Sequence, residues 1–200
     1  MIDIKGFLVA IIPIALSPGA SFTLAISNIS IAGLRSAFNV IWGTGLGIII
    51  HGLLVGLGIS AFIVKSPLTM SVLQIIGILF LGWLGVKLIL SGISSFRKVT
   101  VQSGTLAGFR EALLLNLLNA KAIILYLTVV PNFAGTEFIN YVVLSSLHVA
   151  LMAAWIITIG LFIKIAKKAV RLNVLSGVIN SIGGVFLIIV TCNTAIGLYN

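Results

Sequence analysis

The sequence predicts an all-α integral membrane protein, and three observations carry that prediction. Hydrophobic residues make up 60 % of the chain and charged residues 8 %, against roughly 25 % charged in soluble domains. The apolar excess runs through the whole 200 residues, so a single membrane domain spanning 1–200 is expected, with related halves near 1–100 and 101–200. Six stretches are each long and apolar enough for a helical crossing, which takes about 20 residues.

Taken in order, the first stretch covers 6–28 and carries Pro13, Pro18 and Gly19, so a broken helix is expected there. Its opening resembles a leader, with an apolar run at 7–16 before Ser17-Pro18-Gly19-Ala20-Ser21. Lys5 is balanced by Asp3, however, and apolar character resumes after Ser21; a retained helix is the expectation. The second stretch, 36–64, is rich in glycine. The third covers 67–91 and the fourth 111–131, with a polar interruption at Asn119-Ala120-Lys121. The fifth, 138–163, and the sixth, 174–198, complete the set.

The halves look alike. Ile76-Gly77-Ile78-Leu79-Phe80-Leu81 in the third stretch and Ile182-Gly183-Gly184-Val185-Phe186-Leu187 in the sixth share one pattern. Stretches two and five each hold one histidine, His51 and His148, and stretches one and four each hold a polar break. An odd number of spans per half makes the second half inverted, and inverted repeats with broken helices at matching places point to a transport site.

A net charge of +9 suits nucleic acid in a soluble protein, but here the cations lie between apolar runs, so no nucleic-acid partner is expected. Arg35, Arg97, Lys98, Arg110, Lys164, Lys167, Lys168 and Arg171 fall in loops on one side, and Lys5 and Lys65 on the other with Asp3 and Glu137. The positive side is expected in the cytoplasm and both termini outside. Lys87, near the cytoplasmic end of its span, can snorkel to that surface. Cys192, the one cysteine, is expected to be a small packing residue.

Few residues can carry chemistry. At Ser17-Pro18-Gly19-Ala20-Ser21, proline removes a backbone donor and glycine lets the chain leave the helix. A half-helix starting near Ser21 would turn N–H groups toward an anion; a simple kink is the alternative. Lys121 lies in mid-span, where a lysine costs about 2.5–3.5 kcal/mol on insertion scales, which marks it for a cavity or a substrate. Asn116, Asn119 and Tyr126 share one face of a regular helix, and Lys121 joins Asn119 in one cavity only if the helix unwinds between them. His51, among Gly43, Gly45, Gly47, Gly52 and Gly56, is expected at a close helix contact. His51 and His148 are candidates for proton relay, or simply hydrogen-bond a neighbour. No metal site is expected from two histidines without an acidic cluster. Gly43-Thr44-Gly45-Leu46-Gly47 follows no strand and is no phosphate loop, and no nucleophile and base come together as in an enzyme. A channel would need a continuous polar lining, whereas the polar residues here gather near mid-depth.

These motifs, in this order, resemble the LysE/RhtB family of bacterial amino-acid exporters over nearly the whole chain. The quoted features are Ser17-Pro18-Gly19-Ala20, the glycine-rich run from Gly43 to His51, Phe80-Leu81-Gly82-Trp83-Leu84-Gly85 and Asn119-Ala120-Lys121-Ala122. The run from Asn119 to Tyr126 is most similar to the cysteine/O-acetylserine exporter branch. Ala20 and Ala120 stand where the family usually has prolines. The resemblance implies proton-coupled export of a small amino acid or derivative such as threonine, homoserine or cysteine across the cytoplasmic membrane, without a cofactor. Another small solute or a cation on the same scaffold is the alternative. The expected substrate-binding residues are Ser17, Pro18, Gly19, Ser21, Asn116, Asn119, Lys121 and Tyr126. Glycine-rich faces suit a homodimer contact or internal packing equally.

Overall fold

A computed structural model describes residues 2–17, 19–63, 67–95, 106–165 and 172–197. Pro18, Lys65, Arg97, Lys98, Lys167, Lys168 and Arg171 lie outside the described residues. The described residues are helical with short connections. In chain order the helices are α1 (Ile4–Leu16), α2 (Ala20–Ala32), α3 (Ala37–Ile63), α4 (Pro67–Ser95), α5 (Phe109–Leu117), α6 (Ala120–Ile124), α7 (Val130–Ala134), α8 (Phe138–Ile165) and α9 (Leu172–Gly197). A π-helical turn over Leu125–Val129 joins α6 to α7. The protein is an all-α membrane protein. Three uninterrupted segments, Leu34–Gly58, Ile75–Ser95 and Phe138–Ile165, are long and apolar enough to cross a bilayer. Two further crossings become possible if each bent pair is one span: α1 with α2, bent by 53°, and α5 with the helix from Lys121 to Ala134, bent by 55°. In α9 the apolar stretch is the shorter Asn180–Ile196.

The bends have local causes. Pro18 has no N–H, so the Ile14 carbonyl loses its helical donor, and Gly19 adopts an extended conformation that starts α2 afresh. In the other bent pair Asn119 is extended, and its side-chain carbonyl accepts the Lys121 N–H at 3.0 Å, opening α6. Pro131 then denies a donor to the Leu127 carbonyl, and the helix widens instead, with the Val130 N–H donating to the Leu125 carbonyl. Gly33 and Gly135, at φ 80° and 67°, end α2 and α7 in backbone conformations that favour glycine.

Glycines set the packing. Any side chain at Gly43 or Gly47 of α3 would strike α5, at Phe109 O and at Asn116; at Gly52 and Gly56 it would strike α8 at Ser145 and Tyr141. The close contact expected around His51 is therefore present. Helices α4 and α9 meet at Gly85 and Gly184, each facing the other's backbone carbonyl, and one heptad away Gly92 rests on Gly177 and Ser181. Gly77 of α4 packs on the backbone at Thr128, in the second bent pair, and Gly183 of α9 packs on Pro13, in the first.

The two ends differ in charge. Arg35 and Lys164 line one recess together. Arg110 is near them, because buried Asn28 clamps this end: its amide donates to the Ser36 and Ala107 carbonyls, and its carbonyl accepts the Ala107 N–H. At the opposite end the Asp3 N–H donates to the Phe133 carbonyl, and the Asp3 carboxylate caps α1 through the Gly6 N–H. Outward faces are apolar, with Trp42, Leu54, Leu57, Leu79 and Leu90 exposed, as a lipid-facing surface requires. Lys87 is exposed, with its ammonium 4.7 Å from the centre of the Trp83 ring. Cys192 is also exposed; it lies on the outer face of α9, contrary to the packing role that its apolar surroundings in the sequence suggested.

Candidate functional site

Both breaks open onto one cavity of about 80 Å³. Ser17, Gly19 and Ser21 line it from the first bent pair, and Asn116, Asn119 and Lys121 from the second. The break at Asn119 is what brings Asn119 and Lys121 together; a continuous helix would point them apart. Helix α2 begins at the cavity wall, where Ala20 and Phe22 also lie, and no side chain caps its start. The first N–H groups of a helix have no partner within it and carry partial positive charge. Helix α1 ends at the same place, so partial negative charge from its last carbonyls lies alongside.

Lys121 bridges the two breaks. Its ammonium donates to the Ile14 carbonyl at 3.1 Å and to the Ser17 hydroxyl at 2.9 Å. The first of these is the carbonyl that Pro18 leaves without a helical donor. In a membrane-spanning segment such a carbonyl must be satisfied internally, and a cation at a helix C-terminus also meets the favourable end of its dipole.

One wall of the cavity is apolar, formed by Ile14, Ile48, Leu125, Met152 and Ile156. His148 completes the lining from α8. Behind it lies a row of three rings. Tyr126 is stacked between His51 and His148, with ring centres 5.9 Å and 6.0 Å away. Its hydroxyl shares a 3.2 Å hydrogen bond with His148 Nδ1. At the far end His51 Nε2 is 3.3 Å from the Asn116 carbonyl. A carbonyl only accepts, so Nε2 carries the hydrogen in that contact.

The sequence-predicted residues therefore divide. Ser17, Gly19, Ser21, Asn116, Asn119, Lys121 and His148 share the cavity. Pro18 lies outside the described residues. Tyr126 does not line the cavity, contrary to its place on the Asn116–Asn119 face of a regular helix. It is fully buried, because the break at Asn119 and the π turn change the helical phase and swing its ring into the core. His51 is likewise behind the wall and reaches the site through Asn116 and, by way of the Tyr126 ring, through His148. Sequence reasoning passed over Thr44, which lines the cavity with a buried, unpartnered hydroxyl. Its signal was a lone hydroxyl two turns before His51 on the same helix, hidden between Gly43 and Gly45. Among the described residues, no three His, Cys, Asp or Glu side chains are grouped as a metal site.

Comparison with known proteins agrees with this architecture. The LysE type translocator family matches residues 12–197. A membrane protein of Vibrio cholerae is 30 % identical over 129 residues, covering 64 % of this chain and 63 % of that protein. The membrane protein YrhP of Bacillus subtilis is 27 % identical over 198 residues, covering 90 % of this chain and 94 % of its own length. A leucine efflux protein of Salmonella choleraesuis is 26 % identical over 129 residues, covering 64 % of this chain and 61 % of that protein. The chain thus spans under two thirds of the Vibrio and Salmonella proteins. No solved structure matches. With the match running through both helix breaks and nearly the full chain, this protein belongs to the LysE type translocators, a family of membrane transporters.

Proposed function

We propose that the protein is a secondary exporter of small amino acids or their derivatives across the bacterial cytoplasmic membrane, coupled to protons, with substrate held at the two helix breaks. The observation that carries this reading is the meeting of opposite helix ends and Lys121 in one cavity. A free amino acid carries a carboxylate and an ammonium on one carbon. The uncapped start of α2 at Gly19, Ala20 and Ser21, with the charge of Lys121, suits the carboxylate. Carbonyls at the end of α1 and the Asn116 side chain suit the ammonium, while the Asn119 amide N–H groups suit the carboxylate. Pro18 contributes by withholding an N–H. The leucine efflux relatives support an amino acid as cargo.

Protons would move through His148, the histidine that lines the cavity, with Tyr126 holding its ring and His51 fixing Asn116. Six crossings follow if each bent pair is one span and α9 another. The reciprocal contacts of Gly77 and Gly183, each on the other half's broken helix, favour an inverted repeat. The end bearing Arg35, Arg110 and Lys164 would face the cytoplasm, leaving both termini outside.

The test is efflux from proteoliposomes loaded with labelled leucine, threonine, homoserine, cysteine, O-acetylserine or lysine, with and without a proton gradient. Gradient-dependent efflux of at least one amino acid is expected. Correctly inserted protein that moves none of them would overturn the assignment and turn the search to other solutes and cations.

A further inference from the structure

We infer that Thr44 and Asn116 form the amine-recognising end of this site, and that together with the apolar wall they select amino acids with uncharged, apolar side chains. The inference rests on the reading above and deepens it. The Thr44 hydroxyl and the Asn116 side-chain carbonyl are both buried and without a hydrogen-bond partner, and their residues are only 2 % and 4 % exposed. Both residues line the cavity. Buried polar atoms are nearly always paired, so two unpaired oxygens on residues that line one cavity mark a place for a polar group of a ligand. Three other oxygens around the site are already engaged: the Ile14 carbonyl and the Ser17 hydroxyl accept from Lys121, and the Asn119 side-chain carbonyl accepts at the start of α6.

The two oxygens belong to one locale. Gly47 is three residues beyond Thr44, one helical turn on the same face, and a side chain there would lie 2.6 Å from the Asn116 carbonyl oxygen. Gly47 thereby makes the room that lets Asn116 rest beside the Thr44 turn. His51, one turn further, holds the Asn116 backbone from behind. The Asn116 oxygen only accepts and the Thr44 hydroxyl can accept, so together they can take two of the three donors of an ammonium, which has no acceptor.

The rest of the cavity sets the side chain. Ile48, Leu125, Met152 and Ile156 offer only apolar surface. Asp3, Glu111 and Glu137, the whole acidic complement of the chain, belong to helix ends and none lines the cavity. A second cationic group on the substrate would meet Lys121 and no counter-ion. Lysine is therefore disfavoured and leucine-like side chains are favoured.

The experiment measures binding, apart from transport, by thermal stabilisation of purified full-length protein in lipid nanodiscs. The probes are leucine, its des-amino analogue 4-methylpentanoate, and lysine. Wild-type protein is expected to bind leucine about ten- to a hundredfold more tightly than 4-methylpentanoate, the range for hydrogen bonds to a charged group, and to bind lysine weakly. Thr44→Val should weaken leucine and leave 4-methylpentanoate unchanged, closing that gap, while Thr44→Ser restores it. Asn116→Leu should act in the same direction and serves if Thr44→Val does not fold. Equal weakening of both probes, no change in either, or a preference for lysine would overturn the inference while leaving amino-acid export standing. Folded wild-type protein that binds neither leucine nor lysine and exports no amino acid would overturn the export reading and this inference together.

Discussion

The two helix breaks solve one physical problem in different ways. Each starts a new helix at the wall of the cavity, where the first N–H groups need partners from outside the helix. In the second break Asn119 supplies one itself, its side-chain carbonyl accepting the Lys121 N–H. In the first break Gly19 has no side chain to offer, and the start of α2 stays uncapped. The ends that precede the breaks differ as well: the last turn of α1 borrows a donor from Lys121 across the site, whereas Asn116 in α5 receives His51 from α3. The second break caps its new helix from its own sequence, and the first leaves its new helix uncapped. An unfilled helix start inside a membrane protein suits an anionic ligand group, and in the proposed transport reading α2 takes that role.

Four substitutions test the contrast. The largest effect is expected for Lys121→Ala, which strips the Ile14 carbonyl and the Ser17 hydroxyl of their donor and removes the charge from the site. Efflux should fall by about a hundredfold or more, since a charge-assisted hydrogen bond is worth about 1.5–3 kcal/mol and two are lost; initial rates normalised to inserted protein measure it, and near-normal rates would remove Lys121 from the scheme. Tyr126→Phe keeps the ring stack and deletes only the hydroxyl bonded to His148. Gradient-driven efflux should drop about fivefold, the scale of one hydrogen bond of about 1 kcal/mol, while substrate exchange without a gradient persists; parallel loss of both would assign Tyr126 a structural role alone.

The smaller effects bear on the caps. Asn119→Ala should destabilise the protein by about 1 kcal/mol, the usual cost of losing an N-cap, read as a lowered melting temperature, with Asn119→Ser recovering most of it. Gly19→Ser does the reverse. A side chain fits there, since its first carbon would meet nothing nearer than the Ser17 carbonyl at 3.9 Å, and the extended backbone accepts any residue. The new hydroxyl should cap α2 and stabilise the empty protein by a few tenths of a kcal/mol, while raising the substrate concentration needed for half-maximal efflux. If Gly19→Ser leaves that concentration unchanged, the start of α2 does not hold the carboxylate.

Much of this was legible from residues alone. Long apolar runs locate α3, α4, α8 and α9 to within a few residues, because hydropathy and helix length are direct demands of the bilayer. Pro18-Gly19 and Asn119-Ala120-Lys121 mark both breaks. Periodicity failed at Tyr126, since it assumes one continuous helix, and here a break and a π turn intervene. Thr44 stayed hidden for a different reason: a threonine within an apolar run is unremarkable until its neighbours are known to leave its oxygen unpaired. Cys192 was misplaced because, in a bilayer, an apolar neighbourhood in sequence does not distinguish interior from lipid.

The central claim is that the cavity between the two breaks is where the substrate resides. The most direct test replaces the lone native thiol by Cys192→Ala, introduces Ser21→Cys, and follows modification by a small water-soluble thiol reagent in the presence of the exported amino acid. The account predicts labelling in its absence and protection that rises with its concentration, at the same concentrations that saturate efflux. Labelling at equal rates with and without saturating substrate, in protein that still transports, would contradict it.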